Sequence, residues 1–129
     1  MPVKFGTVDF YQAMADMLNN DPEWATIGKK LSYSMVYDYG PPVDKRFYVV
    51  FDEGRVTEVR EAVEGDADAA NFVVSGPADI WRGVFEKTVN PTAALTRGQM
   101  KVKGKMTVLL KNMDAFSYVI DTMTKVDFE

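Results

Sequence analysis

The sequence predicts an α+β fold: an antiparallel or mixed sheet of about five strands with helices packed on one face. Three observations carry this. Leu31, Tyr33, Met35, Tyr37 and Tyr39 alternate with Ser32, Ser34, Val36 and Asp38, the period of a strand with one buried face. Apolar residues recur at helical spacing before it (Phe10, Met14, Met17, Leu18) and far after it (Met106, Leu109, Leu110, Met113, Phe116, Ile120, Met123). Between these stretches the clusters Gly40-Pro41-Pro42, Asp52-Glu53-Gly54-Arg55 and Gly76-Pro77 break the chain into short elements.

In order, Thr7 is placed to cap a first helix, with Asp9 in its first turn. Asn19-Asn20-Asp21-Pro22 ends that helix and begins a second, Asp21 as cap and Pro22 at the first position, with Trp24 and Ile27 facing inward. The alternating strand follows, then RFYVVF with Phe47, Val49 and Phe51 as a more buried strand. Asp52-Glu53-Gly54-Arg55 is a hairpin turn into RVTEVREAV, whose charges mark a sheet edge. NFVVS supplies a fourth strand after the loop EGDADAA. Pro77 opens a helix with the stripe Ile80, Trp81, Val84, Phe85 and Val89; Asn90-Pro91 opens a short one that Gly98 ends. QMKVK reads as the fifth strand, and one long amphipathic helix is expected beyond Gly104. With no internal repeat or low-complexity linker, residues 1–129 are expected to form one domain, large enough to bury roughly two-thirds of its unfolded surface.

Composition excludes a good deal. Cysteine and histidine are absent, which removes disulfides, thiol nucleophiles, imidazole bases and the usual zinc, haem and iron–sulfur ligands; an oxygen-ligand ion stays open on composition, but no metal site or cofactor is assigned. Net charge is −4, against general nucleic-acid binding. The charge is uneven: residues 1–89 carry nine Lys/Arg and fifteen Asp/Glu, whereas Asn90 to Met113 holds Arg97, Lys101, Lys103, Lys105 and Lys111 and no acid. A solvated face is the plainest reading of that stretch. No apolar run approaches the roughly 20 residues of a membrane span, and the polar residues early in MPVKFGTVDFYQ do not suit a signal peptide, so a cytoplasmic location is expected.

Chemical motifs are weak. Residues 98–107 imitate a phosphate loop, but five residues separate Gly98 from Gly104 and Met106 stands where the hydroxyl should follow Lys105. Asp66 and Asp68 lack the remaining ligands of a calcium loop and read as a solvated turn. Glu58 and Glu61 lie on the edge strand, where charge discourages sheet-to-sheet association. No catalytic residue is assigned.

Methionine is the oddity, with eight in 129 residues. These side chains either fill an irregular core or form a deformable lining around a ligand of variable shape. A ligand cavity of roughly 300 Å³ would cost about 7 kcal/mol to hold empty, comparable to the total stability of a domain. A bound chain of about ten buried methylenes returns roughly 8 kcal/mol gross.

The stretch NPTAALTRGQMKVKGKM, residues 90–106, resembles the signature of the sterol carrier protein type 2 family: Asn90-Pro91, the turn around Ala94, Gly98, then Met100-Lys101-Val102 ending at Gly104. The preceding ADIWRGVFEKTV and the order of elements from Leu31 onward are similar to the same family. The resemblance implies an apolar tunnel between sheet and helices, no shared catalytic residues, and binding or transfer of fatty acids, acyl-CoA, sterols or isoprenoid quinones. The chain departs from eukaryotic members in ending Val-Asp-Phe-Glu rather than in a Ser-Lys-Leu-type address, and its last helix is longer than usual.

On this reading the chain is a non-enzymatic lipid carrier. Met106, Leu109, Leu110, Met113, Phe116 and Ile120 form one wall of the pocket, and Tyr33, Met35, Trp81, Phe85 and Met100 are candidates for the rest. Arg97, Lys101, Lys103 and Lys105 are candidates for holding an anionic headgroup. Membrane contact is at most transient. The competing reading is a non-catalytic module that dimerises or supports a partner enzyme, its interior filled by its own side chains. An enzyme using a tyrosine or carboxylate in an apolar pocket is the third.

Overall fold

Side chains alternate along the aromatic-rich stretch and produce the central strand β1 (Tyr33–Tyr39). Tyr33, Met35, Tyr37 and Tyr39 all lie on its buried face, each less than 9% exposed. A computed structural model describes residues 2–129. In it β1 pairs antiparallel with β2 (Lys45–Asp52), which pairs antiparallel with the edge strand β3 (Arg55–Glu61). The hairpin loop is Glu53-Gly54, both at positive φ (50° and 82°), the backbone that a two-residue turn between twisted strands requires.

The chain then crosses the sheet. After the short helix α3 (Asp66–Ala69), β4 (Phe72–Gly76) pairs parallel to β1 on the side away from β2, and β5 (Lys101–Gly104) closes the other edge antiparallel to β4. The order is β3-β2-β1-β4-β5, a mixed sheet of five strands. Loop EGDADAA is more structured than a solvated turn: Asp66 accepts two hydrogen bonds from Arg60 (2.7 and 3.2 Å) and one from the Val63 amide (2.6 Å). Arg60 holds the Asp66 carboxyl below the usual carboxylate range and lies 4.3 Å over the Tyr48 ring.

Helices cover the face bearing Tyr33, Met35 and Tyr37. They are α1 (Val8–Asn19), α2 (Pro22–Ile27), α4 (Ala78–Phe85), α5 (Pro91–Thr96), α6 (Met106–Lys111) and α7 (Met113–Thr124). Asp21 caps α2 by accepting from the Glu23 and Trp24 amides, and Asn90 caps α5 by accepting from the Ala93 amide. Tyr11 ties α1 to the sheet: its ring stacks on Tyr37 and Phe47 (5.0 and 4.9 Å), and its hydroxyl lies 2.7 Å from that of Tyr39.

Several expectations are corrected. Thr7 begins α1, but its hydroxyl donates to Lys4 O (2.6 Å) instead of capping. Met17 and Ile27, expected inward, are each 37% exposed. The buried stripe of α1 runs Phe10, Tyr11, Met14, Ala15, Leu18, which leaves Met17 to one side. Val36, on the polar-facing side of β1, is fully buried between its neighbours Tyr48 and Val73. The long terminal helix is two helices, α6 and α7, broken at Asn112 (φ −119°, ψ 26°).

Candidate functional site

Between the sheet and the helical layer lies a cavity of about 160 Å³. Met35 and Tyr37 of β1, Phe72 and Val74 of β4 and Val102 of β5 form its floor. Their spacing of two residues follows from strand geometry, which sends alternate side chains to the same face. Trp81, Val84 and Phe85 of α4 form one wall, with Trp81 fixed by stacking on Tyr39 (5.0 Å) and by its indole N–H donating to Asp38 O (2.9 Å). Phe116, Val119, Ile120 and Met123 of α7 form the opposite wall, and Leu109 and Met100 complete it. The exposed lining residues Thr92, Leu95, Met113, Ser117 and Asp121 mark a rim between α5 and α7.

Eight of the eleven residues proposed from sequence for the apolar pocket are brought together here: Met35, Trp81, Phe85, Met100, Leu109, Met113, Phe116 and Ile120. Three are not. Met106 and Leu110 are 47% and 65% exposed and lie outside the lining. The break at Asn112 ends α6, and of the apolar residues in α6 only Leu109 joins those of α7 in the chamber lining. Tyr33 lies on the far side of Phe72 and Phe116, packed on both (6.0 and 5.0 Å). None of Arg97, Lys101, Lys103 and Lys105 lines the cavity, and the one ionised side chain at its rim, among the described residues, is Asp121. Lys101 and Lys103 lie opposite Ser75 and Val73 in the β4–β5 register, flanking Val102, which faces the cavity.

Tyr33 belongs instead to a neighbouring groove of about 500 Å³. Its wall runs from Thr26 and Ile27 of α2 through Lys29, Lys30, Leu31 and Ser32 to Val108 and Asn112. Phe72 and Phe116 line both spaces and form the partition between them. Among the described residues, the Tyr33 hydroxyl is the buried side-chain polar atom without a hydrogen-bond partner. Burial, and secondarily the neighbouring Tyr37, pushes its pKa far up, so it stays protonated and able to donate. The sequence reading missed Lys29 and Lys30. A Lys-Lys pair directly before the alternating strand was the available signal.

An apolar chamber adjoins a groove lined in part by Lys29, Lys30 and Tyr33. Among the described residues no cluster of three or more acidic side chains is placed to hold a metal ion, and no helix is long and apolar enough to cross a membrane.

Fold and chamber together define a small α+β protein with an apolar pocket under its sheet. The comparisons agree on the fold. Residues 17–117 match the SCP-2 sterol transfer family, and the chain belongs to that family. Its fold is similar to a crystal structure of sterol carrier protein 2, with TM-score 0.79 and 25% identity over 95% of this chain and 99% of that one. A conserved hypothetical protein of Thermus thermophilus, described as possibly a sterol carrier protein, aligns with TM-score 0.78 and 22% identity over 94% and 88% of the two chains. The ubiquinone synthesis protein UbiJ-SCP2 aligns less closely, at 0.61 and 19% over 87% and 90%. No curated protein matches the chain.

Proposed function

We propose that this protein binds a long-chain amphiphile non-enzymatically and carries it or presents it to other proteins. The observation that carries this is the chamber under the sheet, whose floor and walls are apolar side chains from β1, β4, β5, α4 and α7, with Thr92, Ser117 and Asp121 at its rim. At about 160 Å³ it is smaller than the roughly 300–1,000 Å³ of typical ligand sites. The groove lies beyond the partition of Phe72 and Phe116, and a long chain reaches it only when these two rings part. The tail occupies the chamber, and the polar end lies in the groove near Lys29, Lys30 and the Tyr33 hydroxyl. A carboxylate or CoA phosphate suits two ammonium groups and a phenol donor better than a neutral sterol hydroxyl does. An anionic headgroup at Arg97, Lys101, Lys103 and Lys105 has no support from the chamber's lining.

The test is a binding screen with palmitate, palmitoyl-CoA, a sterol and an isoprenoid quinone, run on the protein and on Val84→Phe. Val84 is 2% exposed and faces the chamber. The added ring displaces ligand volume worth about three methylenes, near 2.4 kcal/mol, so affinity should fall on the order of fiftyfold. Stability should change little, because the ring enters available space. Equal affinity in both proteins, or no binding of any of the four compounds, overturns the proposal.

A further inference from the structure

The basic stretch that does not line the chamber has a different use. α6 has no buried residue. Met106, Val108 and Leu110 are 47%, 40% and 65% exposed, and Met113 just beyond is 38% exposed. A helix end with four large apolar side chains in water is costly unless something covers it. In the chain flanking it, from Asn90 through Met113, every ionisable side chain is positive: Arg97, Lys101, Lys103, Lys105 and Lys111, all exposed. The first acid is Asp114, in the opening turn of α7.

Apolar side chains among lysines and arginines on one exposed segment match the headgroup boundary of an anionic bilayer. The apolar groups enter the acyl layer while the cations meet anionic headgroups. A second copy of the chain is the wrong occupant, since a two-fold contact would lay this positive set on itself. A nucleic acid matches the charge and leaves the apolar residues uncovered.

We infer that α6 and the basic residues beside it are a docking surface for an anionic lipid membrane. The position of α6 gives docking a consequence. Leu109 lines the chamber and Val108 lines the groove, so α6 lies over the partition at Phe116. Drawing α6 into the headgroup layer uncovers both spaces toward the membrane. The contact itself requires no ligand in the chamber.

Vesicle flotation tests this with two compositions, phosphatidylcholine alone and an equal mixture with phosphatidylglycerol. The protein should float with the anionic vesicles and release as ionic strength rises from about 0.1 to about 1 M, where screening is nearly complete. Lys103→Gln combined with Lys105→Gln should weaken partition roughly thirtyfold, and Leu110→Ser roughly tenfold. These residues lie outside both cavity linings and are exposed, so circular dichroism and palmitate binding without vesicles should be unchanged. Equal partition to both vesicle types, or wild-type partition by either variant, overturns the docking surface. So does binding to a duplex oligonucleotide in place of vesicles, or a dimer that Leu110→Ser dissolves. Palmitate binding without flotation defeats docking alone; flotation without palmitate binding defeats the ligand reading alone.

Discussion

Tyr33 sits at the centre of the aromatic partition, stacked on Phe51 (4.6 Å) and packed on Phe72 and Phe116, with its hydroxyl buried and unpaired. Leaving a buried hydroxyl without a partner costs about 1–3 kcal/mol. Tyr33→Phe should therefore raise the stability of the ligand-free protein by about 1–2 kcal/mol in urea unfolding and weaken its affinity for palmitate. A stability loss on substitution would show that the hydroxyl is already satisfied. Asp21 and Tyr118 make the opposite kind of contact, the Tyr118 hydroxyl donating to the carboxylate that also caps α2. That hydrogen bond, first among the causes, lowers the Asp21 pKa, while Asp21 pushes Tyr118 up to about 12. A depressed carboxylate contributes stability that is present above its unfolded pKa of about 3.9 and lost as pH falls through its folded value. A raised phenol contributes stability present below about 10 and lost as pH rises through about 12. Tyr118→Phe should flatten both limbs of the stability–pH curve. Limbs identical to wild type in urea titrations would remove this account.

The break between α6 and α7 is an element-scale event with a residue-scale cause. Asn112 donates its side-chain amide to Val108 O (2.9 Å), while its backbone N–H turns to Leu109 O (3.1 Å). A side chain that bonds the backbone four residues earlier competes with the helix ladder. Apolar spacing alone did not reveal this, because Leu109, Met113, Phe116 and Ile120 keep helical intervals straight across the break. Met106 and Leu110 were misplaced for that reason. Position 104, by contrast, was readable. The turn after β5 holds Gly104 at φ 140°, and a Cβ there would lie 2.4 Å from Asn71 O and 2.5 Å from Phe72 Cδ1. Gly104→Ala therefore combines a strained backbone with a clash against β4, and it should destabilise the protein by about 2–3 kcal/mol. A loss below about 0.5 kcal/mol, typical of a neutral surface change, would mean that the β4–β5 edge yields freely.

For the molecule as a whole, alternation and turn residues revealed all five strands and most helices, because both signals are local. Strand order was not local: β4 reaches its place beside β1 only through the crossover that follows β3. The mixed character of the sheet was therefore left open by pattern, and the chamber's position depends on that crossover, which puts Phe72 and Val74 beside Met35 and Tyr37. The chamber's floor and walls were foreseeable as apolar faces. The polar groove was not, since Val108 and Asn112 lie far along the chain from Lys29, Lys30 and Tyr33 and meet them only when α2 and α6 flank β1. The methionines now divide by location, and that division supplies a test. Met35, Met100, Met113 and Met123 line the chamber, whereas Met14 and Met17 belong to α1 and do not. Titrating palmitate into protein carrying ¹³C-methyl methionine should shift the signals of the first four and leave those of Met14 and Met17 in place. Shifts confined to other methionines, or none at saturating ligand, would contradict a lipid site under the sheet.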